Sequence, residues 1–332
     1  MQLRKIQLVS NSLLNWLLQG KDNSFNLPAH TKNMICQNIV ESKSFYCDYE
    51  HKKVENISLE DFNLHHYADH EEIIEIVNYL KDKKGLFSHF LIHGSYSDLK
   101  IVPGWSDFDS IAIIKKNILA QPSKRQELLN TCIELDKIMR KVDVYQHHGI
   151  QYMLEEELNS YPDLYLPKDI INDTKCVLGN QHLKIMSVDS KSYEINRLIG
   201  IYSLLKESSQ TGVLLHHKKN EVYLVENYKN IETMYQLKYF LCVIMLLPTL
   251  WLNNQGVYCK KKDSFELIKK HFSNKELELL TCASEIRTNW AQEINLDLNL
   301  NVIPMWIRNI LGSDYLARGG KLAKIFERKN IK

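Results

Sequence analysis

Two aspartates one residue apart, running without a break into an apolar stretch, constrain this chain more than any other feature. The segment is Asp107-Phe108-Asp109-Ser110-Ile111-Ala112-Ile113-Ile114, and its isoleucine-rich end predicts a strand. Side chains alternate across a strand, so Asp107 and Asp109 share one face while Phe108 packs on the other. An isolated Asp-x-Asp is often only a strand-start cap followed by an exposed edge residue, because short motifs recur freely. The flanking sequence changes that reading.

Upstream, Phe87-Ser88-His89-Phe90-Leu91-Ile92-His93 is a strand-length run that ends at Gly94-Ser95. Eleven residues, Pro103 and Gly104 among them, separate Ser95 from Asp107. A glycine there lets the backbone approach a phosphate, and the serine offers a hydroxyl and an amide as donors. A short helix beginning at Tyr96 or Ser97 would add the positive end of its dipole. Downstream, Pro122 to Lys141 carries Leu128, Leu129, Cys132, Leu135, Ile138 and Met139 at helical spacing. Val142-Asp143-Val144-Tyr145-Gln146-His147 then predicts a third strand, which would bring Asp143 beside the other two acids if the strands pair. Three converging carboxylates repel one another, and hard divalent cations, Mg²⁺ above all, resolve that repulsion. Ahead of these elements, Asp69-His70-Glu71-Glu72 opens a helix that closes with Lys81, Lys83 and Lys84, the charge order a helix dipole favours. Helix, strand, strand, helix, strand suits a small mixed sheet with helices on one face.

Together these residues resemble the nucleotidyltransferase superfamily of the polymerase-beta type. The matching pieces are Leu91-Ile92-His93-Gly94-Ser95, Ser106-Asp107-Phe108-Asp109-Ser110-Ile111-Ala112-Ile113 and Val142-Asp143-Val144, spread over about residues 69–150. The resemblance implies in-line attack by an acceptor hydroxyl on the α-phosphate of a nucleoside triphosphate, with loss of pyrophosphate. It casts Asp107, Asp109 and Asp143 as ligands of a two-Mg²⁺ site, Asp143 alternatively as the base toward the acceptor, and Gly94 and Ser95 as triphosphate contacts. His147 would share a strand face with Asp143 and either assist proton departure or stand as a polar strand-end residue.

Beyond Asp189 the pattern is helical, with candidate helices at 193–207, 233–251, 263–271 and 275–293. The stretch from Gln236 to Phe265, with its Gly256 turn and Lys260-Lys261-Lys262, resembles the helical C-terminal domain of aminoglycoside adenylyltransferases. That similarity implies a triphosphate contact from Lys262 or, second, Lys261; otherwise the lysines form a solvated turn. The basic segment after Gly319-Gly320 is expected to fray.

Composition bounds the partners. Lys plus Arg number 42 against 40 Asp plus Glu, so no global field draws the chain onto a long nucleic acid, and any anion site must be local. The cysteines at 36, 47, 132, 176, 242, 259 and 282 show no paired spacing, the pattern of a reducing compartment without a zinc site. The N-terminus lacks the apolar core of a signal peptide. The apolar run Tyr239 to Leu252 holds Pro248 and is short for a membrane span, so a buried helix is expected. The expectation is therefore a cytoplasmic protein of three parts. An extension (1–65) without a readable role precedes an α+β nucleotidyltransferase domain (66–189) with helices on one face of its sheet, and an all-α domain (190–332) follows. Nucleotide and acceptor would meet in the cleft between the two domains. The expected donor is an NTP, ATP favoured, and the expected acceptor a small-molecule hydroxyl. The alternatives are an RNA end or partner protein as acceptor, or a nucleotide-binding module that does not turn over.

Overall fold

A computed structural model describes residues 2–42, 53–142, 149–162, 168–188, 192–212, 234–293 and 303–330. The chain divides into two compact units, Met1–Ile101 with Ser106–Ser190 and Val102–Trp105 with Lys191–Lys332.

The first unit opens with helices α1 (Gln2–Leu18) and α2 (Ala29–Ser42) and the short strands β1 (Lys53–Ser58) and β2 (Glu60–Asp61). Helix α3 (Glu71–Asp82) leads into β3 (Phe87–Ile92) and β4 (Ser110–Ile114), and α4 (Pro122–Val142) precedes β5 (Gln151–Leu154). Then follow β6 (Tyr161–Pro162), α5 (Lys168–Asn172), β7 (Lys175–Leu178) and β8 (His182–Val188). Acids in the first turn of α3 and buried Ile73, Ile76, Val77 and Leu80 along one stripe account for that helix.

The main sheet runs β2-β7-β3-β4-β5. β3 pairs antiparallel with β4, and β4 pairs parallel with β5. A parallel partner needs a crossover, which α4 helps to supply. β3 and β4 read as nearly unbroken apolar runs because both of their faces are covered. Phe90, Ile92, Ala112, Ile114 and Tyr152 pack in one core with residues of α1, α3 and α4. Leu91, Ile111, Ile113 and Met153 pack in a second core with Ile57, Leu183 and Ile185. Those last three belong to another sheet, ordered β1-β8-β6. The mixed α+β class anticipated from the sequence is found, but the opposite face of the main sheet is roofed by strands rather than left bare.

Two boundaries differ from expectation. Val142 is the last residue of α4, and the strand that pairs with β4 begins at Gln151, not at Val142. α4 runs one residue past the expected Lys141, and the rest of the expected strand, 143–147, lies outside the described residues. β4 itself starts at Ser110, so Asp107 and Asp109 stand in the extended lead-in to the strand.

The N-terminal region acquires a role. β5 is an edge strand, and α1 lies along it with Asn11, Asn15 and Gln19 on one helical face. Gln19 Nε2 donates to the Ile150 carbonyl at 2.7 Å, and Asn11 Nδ2 reaches the fully buried Glu157 carboxylate at 3.3 Å. Glu157 in turn accepts from the Leu154 amide at 2.6 Å.

The second unit holds α6 (Ser192–Thr211), α7 (Met234–Asn254), α8 (Lys261–Ile268), α9 (Glu278–Glu293), α10 (Met305–Leu311) and α11 (Tyr315–Asn330). Helices are its regular structure among the described residues. By length and composition α7 could cross a membrane, but most of its apolar window is buried within this unit. The segment after Gly320 is not frayed: it is the greater part of α11, whose Leu322, Ala323 and Phe326 are buried. A Cβ on Gly319 would stand 2.9 Å from the Phe240 ring, and one on Gly320 would stand 2.5 Å from Ser209. The glycine pair is therefore a packing device that brings α11 close to α6.

Candidate functional site

The site grows from the open end of the β3–β4 pair. The ladder aligns Ile92 with Ser110, and one step further the His93 amide donates to the Asp109 carbonyl at 3.0 Å. His93 and Asp109 thus stand opposite each other just past the last strand residues. The chain then turns at Gly94, whose φ of +70° is the left-handed conformation that glycine tolerates. A Cβ built on Gly94 would lie 2.7 Å from Asp109 Oδ2. The glycine backbone therefore lies directly against the carboxylate, and no larger residue fits without displacing it.

Residues 94–100 fold into a tight turn, and no short helix begins at Tyr96 or Ser97. The Gly94 carbonyl accepts from the amides of Ser97 and Asp98, both at 3.1 Å, and from Ser97 Oγ at 3.0 Å. The Lys100 amide closes onto the Ser95 carbonyl at 2.9 Å. The Ser95 amide and hydroxyl take no partner among the described residues.

Alternation does the rest. Phe108 is fully buried in the helix-side core, with its ring edge-on to Tyr96 at 5.1 Å. Tyr96 is stacked on Tyr67, whose hydroxyl donates to the Tyr96 carbonyl, and Phe62 stacks on Tyr67 at 4.5 Å. Burial pushes the Tyr67 phenol up to about 12, so it stays a neutral donor. This aromatic column ties the residue after Ser95 to the residue between the two aspartates. Asp107 and Asp109 are thereby left on the other face, each half-buried. His93 follows Leu91 by two residues on that same face. Burial pushes its imidazole down to about 4, so at neutral pH it brings no positive charge to Asp109.

Two half-buried carboxylates beside a glycine-serine turn are a donor set that suits a hard cation. Mg²⁺ keeps several waters and is commonly held by one or two carboxylates plus substrate phosphates. No group of three or more His, Cys, Asp or Glu able to hold a metal is found among the described residues. Asp143 and His147, the third acid and its neighbour, lie outside those residues. Lys261 is the exposed first residue of α8; of Lys262 only the backbone is described. The helix, the Gly256 turn at φ +81° and the lysine-opened helix stand in the order read from the sequence. Two surface depressions, of about 340 Å³ beside Tyr79 and Glu127 and about 260 Å³ beside Leu237 and Tyr315, include none of these residues.

The chain has no match among protein families, curated proteins or solved structures. What can be said of the site therefore rests on its own geometry. Sequence reasoning missed Tyr67 and Tyr96 as its underpinning, and it missed the turn at 102–105. The Pro103-Gly104 pair signalled that turn, since proline followed by glycine favours a type II turn.

Proposed function

We propose that the first unit is a metal-dependent nucleotidyltransferase of the polymerase-beta type. One observation carries the reading: the Gly94 backbone lies against the Asp109 carboxylate, so a donor-bearing turn and an acidic pair share one end of the sheet. The sequence resemblance to that superfamily, through Gly94-Ser95 and Asp107-x-Asp109, gives the same assignment.

In this reading Ser95 offers its amide and hydroxyl to the triphosphate, and Gly94 lets the phosphates come close. Asp107 and Asp109 would hold Mg²⁺, which when bound would supply charge neutralisation for the reacting phosphoryl group. An acceptor hydroxyl attacks the α-phosphorus as the bond to the bridging oxygen breaks. The nucleoside monophosphate passes to the acceptor, its proton goes to a base, and pyrophosphate leaves. Asp143 remains the proposed third ligand or base through the resemblance, as do Lys262 and Lys261 for triphosphate contact. Positioning and electrostatics supply most of the rate in such chemistry. The near-balance of 42 basic and 40 acidic residues favours a small hydroxyl-bearing acceptor over a long polyanion. ATP is the favoured donor.

The test combines calorimetry of each NTP, with Mg²⁺ and with EDTA, and a mass-spectrometric search for nucleotidylated acceptors. Binding that needs the metal, together with one product heavier by a nucleoside monophosphate, is expected. Equal affinity with and without the metal would overturn the assignment of Asp107 and Asp109.

A further inference from the structure

We propose that His93 contacts the triphosphate of the donor nucleotide, its ring N–H donating to a phosphate oxygen; the inference rests on the nucleotidyltransferase reading. The sheet itself delivers the residue. Ladder register sets Leu91 opposite Ile111 and Ile92 opposite Ser110, and the His93 amide donates to the Asp109 carbonyl at 3.0 Å. His93 and Asp109 are therefore the next cross-strand pair on the face of Leu91 and Ile111, a spacing of about 5 Å between Cβ atoms. Leu91 and Ile111 are closed into the strand-roofed core. The pair that follows them is an imidazole and a carboxylate, each only part-buried. All four residues lie inside the first unit.

The His93 ring makes no hydrogen bond or ion pair among the described residues. Polar groups largely withdrawn from water normally have a partner, and one without calls for a reason. A metal cage is not the reason, because His93 does not join the two aspartates in a group of three donors able to hold a metal. Ser95, two residues on, likewise has an amide and a hydroxyl without partners among the described residues. Two unspent donors thus flank Gly94, whose backbone lies against the Asp109 carboxylate. A triphosphate bridged to the aspartates by a cation presents anionic oxygens, and those oxygens take N–H donors from the residues beside them. An imidazole keeps at least one N–H in either tautomer and when protonated, so the contact does not depend on the charge of the ring.

The experiment titrates magnesium tripolyphosphate, a triphosphate without a nucleoside, into the full-length chain by calorimetry, beside Mg·ATP. The variants are His93→Leu, which removes the donor at similar volume, His93→Gln, whose amide restores one, and Asp109→Asn. A melting curve at neutral pH accompanies each. His93→Leu is expected to bind both ligands about 10-fold or more weakly, the scale of one hydrogen bond to a charged group, and Asp109→Asn to lose them. The melting temperature of His93→Leu should be unchanged or higher, because an apolar side chain replaces an unpartnered polar one. His93→Gln should recover most of the affinity. A histidine that served the fold alone would not move binding and stability in opposite directions. Wild-type affinity in folded His93→Leu, with binding lost in Asp109→Asn, overturns the inference and leaves the nucleotidyltransferase reading standing. A loss for Mg·ATP without one for tripolyphosphate also overturns it, since the ring would then touch the nucleoside. Wild-type affinity in Asp109→Asn removes that reading, and this inference with it. If His93→Leu does not fold, the wild-type chain carries the test through nitrogen NMR of its imidazoles, the His93 signal being assigned by its absence from His93→Gln. A ring nitrogen that shifts on adding magnesium tripolyphosphate is expected, and an unshifted one overturns the proposal.

Discussion

Asn15 takes the place of a missing strand for Tyr152: its Oδ1 accepts from the Tyr152 amide at 2.7 Å, and its Nδ2 donates to the Tyr152 carbonyl at 2.8 Å. One side-chain amide thus satisfies both backbone groups of a residue on the outer edge of the sheet. Asn15→Leu would leave the Tyr152 amide buried without a partner and its carbonyl with Asn11 Nδ2 at 3.3 Å. It is expected to destabilise the first unit by about 1–3 kcal/mol, the cost of one orphaned buried polar group. Urea unfolding monitored by fluorescence measures it. A loss below about 0.5 kcal/mol, the ordinary range for surface substitutions, would mean that the edge is satisfied in some other way.

Gly94→Ala tests the close approach at the site. The new methyl would sit 2.7 Å from Asp109 Oδ2 on a backbone at φ +70°. Strain of about 1–3 kcal/mol is expected, with metal-dependent nucleotide binding lost outright because the carboxylate must move. Calorimetry with Mg·ATP, beside a melting curve, separates the two effects. Undiminished binding in the alanine variant would remove the glycine from the site.

Asp107→Asn and Asp109→Asn keep side-chain volume and remove the charge that holds a hard cation. Each variant should fold normally and lose nucleotidyl transfer by about 10²-fold or more, the scale of one electrostatic stabiliser removed. The double variant should be little worse than either single one, because the pair acts as a unit. Additive losses in single-turnover assays would show that the two acids do separate jobs.

His93 gives a pH signature. The free imidazole titrates near 6.5, whereas burial in the fold lowers it to about 4. Between those values the unfolded chain binds more protons, so stability rises with pH across the window. It is lost as pH falls through the window and levels off below about 4. His93→Gln should remove this dependence, and the difference between the two proteins should change by about 3 kcal/mol from pH 7 to pH 4. Denaturant midpoints at a series of pH values give the curve. Parallel curves for the two proteins would mean that His93 is not the group concerned.

The parts that were legible in the sequence share a cause. Periodic apolar residues announced α3, β3, β4 and α4, and the alternation Asp107-Phe108-Asp109 separated two acids from a buried ring, because burial at those positions follows from local spacing alone. Asn11, Asn15 and Gln19 were illegible for the opposite reason. Amides at helical spacing look like a solvated stripe until the edge strand that they serve lies beside them. The roof of β1, β8 and β6 was hidden in the same way, since its strands are brief and its pairing spans Lys53 to Ser187. Glycine disfavours helices, and only the neighbours Phe240 and Ser209 explain why α11 keeps Gly319 and Gly320. The candidate site was legible in its residues, whereas the 102–105 turn was not legible in its contacts: nothing near Gly104 in sequence points to Trp290.

That last contact carries a consequence for the order of events during synthesis. Gly104 and Trp290 are 186 residues apart in the chain, so the turn leading to Asp107 emerges long before the helix that secures it. Domains tend to fold as they are made, and contacts of large separation form late because closing so long a loop is entropically costly. The central strands can assemble while the remainder of the chain is still being translated, whereas the 102–105 turn gains its Trp290 contact only after α9 has been made. The 102–105 turn would thus reach its lasting contacts after the strands that flank it in sequence.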